Sequence, residues 1–312
     1  SEFDDPKTGG RCVIWRLISA AIFISAILTV AYFDYQLGSS DSLGHVGVFL
    51  VPVVIILTGM AAQELTNMIA SRNPSTPQSI VICGAMVTIA CACAPVLWEV
   101  YPADCPVGKL GWNTLGLSMA VAIAIVFEMI RFKAAEKVIS NLAYSIFVIV
   151  YAGFLMGFLA GLRFYDSNEV GMTALMSLLV TVKLSDAGAF FIGKMFGRNK
   201  LAPKMSPAKS VEGAIGAVVT GAMGSVAFFM WVAPWLADGK VTAPIWASVL
   251  FGVVIAVTGM VGDLFESIIK RDFKAKDSSS WLRGLGGILD IFDSILAAAP
   301  AAYVLWVIGM FT

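Results

Sequence analysis

Apolar residues run through this chain in long blocks separated by short polar stretches, and nine blocks approach the roughly twenty residues that cross a bilayer as a helix. They lie near 12–33, 45–63, 79–98, 111–130, 138–162, 171–193, 211–236, 242–265 and 288–311. The blocks are continuous rather than alternating, and too long for the strands of a membrane barrel. The pattern therefore predicts an all-α polytopic membrane protein with about nine transmembrane helices. Arg11 and Arg16 precede the first block as they would a signal peptide. That block is long, and no small-residue cleavage site clearly follows it, so it reads as a span. The first residues lack an initiator Met and read as a processed or cloning-derived end.

Composition agrees with the pattern: 58% of residues are hydrophobic, 13% are charged, and mean hydropathy is +0.84. Formal net charge is zero, but its distribution predicts an orientation. With alternating spans and a cytoplasmic N-terminus, 17 of the 21 Lys and Arg fall on the cytoplasmic side. Ten of these sit in the loops after spans six and eight, while Lys109, Arg163 and Lys240 fall outside and Lys183 within a span. That asymmetry places the C-terminus outside. The expected setting is the bacterial inner membrane, with the chemistry facing the cytoplasm.

The five cysteines form no C-x-x-C pair, which argues against a zinc or redox site. His45 is the single histidine and is expected on the outer side, so acid–base chemistry built on histidine is disfavoured. Residues 1–165 hold few ionisable groups in their spans and read as a packing and oligomerising region. Glu128 and Arg131 form an i,i+3 pair near an interface there. Residues 166–312 carry four motifs and two basic cytoplasmic loops, 194–210 and 266–287.

The first motif runs from Val180 to Arg198. Lys183 and Asp186 are three apart and can neutralise one another, while Ser185, Asp186, Ala189 and Gly193 form a small and polar stripe. The second is the loop with Lys200, Lys204, Ser206, Lys209, Ser210 and Glu212, stiffened by two X-Pro steps. Ser210 is placed to cap the following helix, and the loop can offer N–H groups and lysines to a phosphate. In the third, Asp263, Glu266, Ser267 and Lys270 share one helical face, with Arg271 beside them. In the fourth, Gly286 and Gly287 lead into a helix with Asp290 and Asp293 on one face. Carboxylates at membrane depth mark functional sites by default. Asp263 and Asp290, on two helices that meet, could share one Mg²⁺ with substrate phosphates. The plain alternatives are a structural ion-pair network and a basic loop that binds anionic lipid head groups.

Together the four motifs resemble the phosphatidate cytidylyltransferases. That family's signature runs in outline S-x-x-K-R-x4-K-D-x4-[hydrophobic]-P-G-H-G-G-x-x-D-R-x-D. Ser267, Lys270, Arg271, Lys276, Asp277, Gly284, Gly286, Gly287, Asp290 and Asp293 stand at its positions. Upstream, Ser185-Asp186, Gly193-Lys194, Gly197-Arg198 and the segment from Pro203 to Gly213 are also similar. The chain departs at Arg283, Leu285 and Ile291, where the family has Pro, His and Arg.

The resemblance implies a divergent active branch that makes CDP-diacylglycerol and pyrophosphate from CTP and phosphatidic acid. It implies Mg²⁺ on Asp263 and Asp290, with Asp293 and Asp186 as further ligands or orienters, and leaves room for a second, monovalent cation. Lys204, Lys209, Lys270 and Arg271 would hold phosphates. Ser185, Ser206, Ser210, Glu212, Glu266, Ser267, Lys276 and Asp277 would line the substrate site. The implied partners are CTP, phosphatidic acid and membrane lipid, with a homodimer compatible and no nucleic acid. The alternatives are a CTP-dependent polyprenol or phytol kinase, and a cation-coupled transporter.

Overall fold

The computed structural model describes residues 25–36, 38, 46–98, 101–102, 104–132, 137–275, 278–279 and 286–311. Among them run nine helices: α1 (25–36), α2 (Leu50–Ala70), α3 (Gln78–Ala92), α4 (Gly108–Ile130), α5 (Val138–Arg163), α6 (Asn168–Phe196), α7 (Val211–Leu236), α8 (Ile245–Asp272) and α9 (Ile288–Val307). Seven are long and apolar enough to cross a membrane; α3 is apolar but shorter, and the described part of α1 is shorter still. Eight of the nine predicted spans coincide with described helices, and of the first, predicted at 12–33, only the part from residue 25 is described. His45, Lys276, Asp277, Arg283 and Leu285 lie outside the described residues.

Two helices change winding midway. α5 opens into a π turn at Ile149–Phe154 and α7 into another at Phe228–Val232. The basic loop after α6 forms an antiparallel hairpin of β1 (Lys200–Ala202) and β2 (Ser206–Ser210). Its second strand delivers Ser210 as the N-cap of α7, whose hydroxyl accepts from Gly213 N at 3.1 Å, as expected.

Lipid offers no hydrophobic drive between helices, so close backbone approach has to supply contact. The stripe of Ser185, Ala189 and Gly193 packs on α7, where Gly193 meets Gly213. Gly262 of α8 lies so near α9 that a Cβ there would sit 2.5 Å from the Asp293 carbonyl oxygen. Outward-facing Ile215, Met223, Trp231, Trp235 and Trp246 are exposed, as lipid contact requires. At the other end of α9, Trp306, Phe229, Phe251 and Phe311 form an aromatic core, with Phe229 and Phe311 stacked at 4.6 Å.

The N-terminal region is less quiet than its hydropathy suggests. Arg163 and Asp34 are both buried and pair at 2.7 Å. Arg163 also donates to the Asn168 carbonyl and side-chain oxygens, while Asp34 accepts from Phe49 N and Leu50 N. One buried pair thus joins α1, the start of α2, the end of α5 and the start of α6, with its donors and acceptors satisfied locally.

Candidate functional site

A cavity of about 590 Å³ opens among α6, the hairpin, α7, α8 and α9. Six of the site residues read from the sequence line it: Asp186, Lys209, Ser210, Asp263, Asp290 and Asp293, joined by Lys183 and Lys194. Each motif reaches the cavity because a different packing feature turns it inward. The helical stripe presents Asp186, the hairpin presents Lys209, and the close α8–α9 crossing at Gly262 brings Asp263 to Asp293.

Ligand oxygens of Asp263, Glu266 and Asp293 lie within 4.8 Å of one another, with Glu266 and Asp293 buried. Three carboxylates this close repel unless cations share the space. Lys209 Nζ lies 2.5 Å from Asp263, and Lys270 Nζ lies 2.7 Å from Glu266. Among the described residues the buried Glu266 Oε1 has no hydrogen-bond partner. All-oxygen donors with one buried lone pair unused fit a hard divalent cation.

Asp290, paired with Asp263 in the sequence reading, lines the same cavity but is held differently. Its Oδ1 accepts from Lys270 at 2.9 Å. Its Oδ2 accepts from Gly287 N, Ser278 N and the Ser278 hydroxyl at 2.6, 3.2 and 2.9 Å. The structure thus groups Asp263 with Glu266 and Asp293, and makes Asp290 the anchor of the first turn of α9. Lys270 sits between two carboxylates, Glu266 and Asp290.

The remaining candidates are more dispersed. Lys183 and Asp186 pair at 3.5 Å at the cavity wall, and Lys183 also donates to the Ile291 carbonyl. Ser185 is buried and faces α7 at Gly221. Lys204 is exposed at the hairpin turn and Ser206 is half-buried at the start of β2. Arg271 Nε donates to the Met205 carbonyl, fastening the hairpin to the end of α8. Glu212 accepts from Arg198 N, Asn199 N and Asn199 Nδ2, so it braces the turn before β1. Ser267 is half-buried on α8 and does not line the cavity.

Sequence reasoning missed Glu64. It lies in the apolar helix α2, one residue past the span predicted at 45–63 and in the region read as packing, yet its carboxylate accepts four hydrogen bonds from residues 278–289. An ionisable residue inside a span is a functional signal by itself.

Residues 14–308 match the sequence model of the cytidylyltransferase family. The phosphatidate cytidylyltransferase of Staphylococcus saprophyticus is 27% identical over 263 residues, covering 83% of this chain and 90% of that protein. That of Staphylococcus aureus is 29% identical over 259 residues, with the same two shares. That of Chlamydia trachomatis is 32% identical over 190 residues, 60% of this chain and 61% of the relative. This last alignment spans less than two thirds of the relative's length.

Proposed function

The chain belongs to the cytidylyltransferase family, and from that premise we propose that it transfers the cytidylyl group of CTP to phosphatidic acid, giving CDP-diacylglycerol and pyrophosphate. The observation that carries this reading is the convergence of the four motifs on one cavity lined by Asp263 and Asp293, two members of a three-carboxylate group. The family match favours neither a CTP-dependent lipid kinase nor a cation-coupled transporter.

A phosphate monoester is already a nucleophile near neutral pH, so the protein has to position and neutralise charge rather than supply a strong base. An oxygen of the lipid phosphate attacks the α-phosphorus of CTP, and the bond to the bridging β-phosphate oxygen breaks to release pyrophosphate. Asp263, Glu266 and Asp293 would hold a divalent cation, Mg²⁺ in this reading. When bound, that ion would neutralise phosphate oxygens as charge moves onto the leaving group. Lys209 lies at the cavity wall beside Asp263, where it can turn from that carboxylate to a phosphate oxygen. Lys194 and Lys183 add positive charge at the same wall. Asp186 lines the same cavity as Asp263 and Asp293 and would serve as a further ligand or orienter.

The bias of Lys and Arg supports a cytoplasmic site, and the bacterial relatives support the inner membrane. CTP would then enter from the cytosol and the lipid from the inner leaflet. In the same reading residues 1–165 brace the catalytic region 166–312, and cross-linking in native membranes tests whether they also pair two copies.

The test is cytidylyl transfer by detergent-purified protein supplied with Mg²⁺, radiolabelled CTP and phosphatidic acid. Wild-type protein is expected to yield a cytidine-labelled lipid, and Asp263→Ala and Asp293→Ala to lose it by about 100-fold or more. Label arriving as γ-phosphate would indicate a kinase instead. No transfer by folded protein would mean that Leu285 and Ile291 mark a lost activity.

A further inference from the structure

Glu64 is nearly inaccessible, at 3% exposure, and sits in α2 far in sequence from every motif. Each of its oxygens accepts one hydroxyl and one backbone N–H. Oε1 takes Ser279 Oγ at 2.8 Å and Ile288 N at 3.0 Å. Oε2 takes Ser278 Oγ and Leu289 N, both at 3.0 Å. Ile288 and Leu289 open α9, and their N–H groups are among the four that a helix start leaves unsatisfied. The N-cap residue is Gly287, which has no side chain to satisfy them. A carboxylate from another helix does so instead, and its negative charge suits the positive end of the helix dipole.

The contact requires room that only glycine leaves. A Cβ on Gly287 would lie 2.3 Å from Glu64 Oε2 and 2.0 Å from Ser278 Oγ. This glycine of the signature is therefore accounted for by a protein–protein contact within the chain, without invoking a substrate. The contact also continues toward the cavity. The single Ser278 hydroxyl proton is shared between Glu64 and Asp290, Asp290 accepts from Lys270, and Lys270 pairs with Glu266 of the three-carboxylate group. Asp293 follows one turn further along the helix that Glu64 caps.

We propose that Glu64 is a positioning residue for the transfer reaction, fastening Ser278, Ser279 and the first turn of α9 in the register that presents Asp290 and Asp293 to the cavity. This rests on the cytidylyl-transfer reading. Glu64 touches neither the cavity nor the three-carboxylate group, and acts through Ser278 and the α9 backbone. An amide in its place has one acceptor oxygen, so one of the two backbone N–H groups would face an NH₂ instead.

The test compares full-chain wild type with Glu64→Gln in detergent, by hydrogen exchange at residues 287–290 and by steady-state kinetics with CTP. The expected result is faster exchange confined to that turn, kcat lower by about 10- to 100-fold, and KM for CTP changed by less than about threefold. Ser278→Ala, which leaves Glu64 and both amides in place, should lower kcat by about tenfold and so gives a second reading if Glu64→Gln does not fold. Unchanged exchange would overturn the proposal, as would faster exchange with wild-type kcat. Wild-type protein that transfers no cytidylyl group would overturn the functional reading and the kinetic part of this one, while faster exchange in Glu64→Gln would still support the clasp.

Discussion

Lys270 shows how one residue can hold a site together without facing its cavity. Its ammonium lies between the buried Glu266 and the largely buried Asp290, within 3 Å of both. Removing it would leave two carboxylates short of a counter-ion in a poorly hydrated place, a loss on the order of 3–5 kcal/mol. Lys270→Met is therefore expected to lower the thermal unfolding midpoint as well as activity, read by melting in detergent beside the transfer assay. Asp293→Asn should behave differently. The amide keeps the volume and an acceptor for Ser294 N, which now bonds the carboxylate at 2.5 Å, but removes one charge from the three-carboxylate group. Its expected signature is a near-normal melting point with weaker dependence on Mg²⁺, seen as a rightward shift when the metal is titrated against activity.

At the scale of elements, the site depends on how closely α8 and α9 cross. Gly262→Ala would put a methyl 2.5 Å from the Asp293 carbonyl oxygen and 2.6 Å from Ala297 Cβ, so the helices must part. That separation moves Asp263 away from Asp293, and a 1 Å misplacement can cost about 100-fold in rate. The substitution is expected to remove most activity while the protein still folds and inserts, checked by assay and by size-exclusion profile. The hairpin and its cap make a milder case. Ser210→Ala loses the bond to Gly213 N and should cost about 1 kcal/mol, with a correspondingly small fall in melting temperature. A larger loss of activity than of stability there would show that the hydroxyl also serves the cavity that it lines.

The whole molecule is held at the opposite end from the cavity by Asp34 and Arg163, sequence-distant and both buried. Breaking such a pair from one side is expected to cost about 3–5 kcal/mol, so Asp34→Asn should destabilise the entire bundle, as reduced yield and melting temperature would record. Nearly all of the helical architecture was legible from hydropathy alone, because a bilayer leaves an apolar run of sufficient length little choice but to close its own backbone hydrogen bonds. The motif residues were legible too, since charge in such a chain is scarce and Asp186, Lys209, Asp263 and Asp293 stood out against it. Their partners were not. Helical spacing put Asp290 on one face with Asp293, but it could not show that Lys270 and Ser278 hold Asp290 while Glu266 joins Asp263. Glu64 and Asp34 were visible as carboxylates at the ends of apolar blocks, but their side-chain partners were not, since these lie more than 100 residues away in sequence. Sequence by itself determined which segments are helices and which residues are costly to bury, since both are local free energies of a chain in lipid. Tertiary structure alone decided which carboxylates share a cation-sized space and which serve as caps, because that depends on the crossing of helices whose contacts leave no periodic trace in the chain.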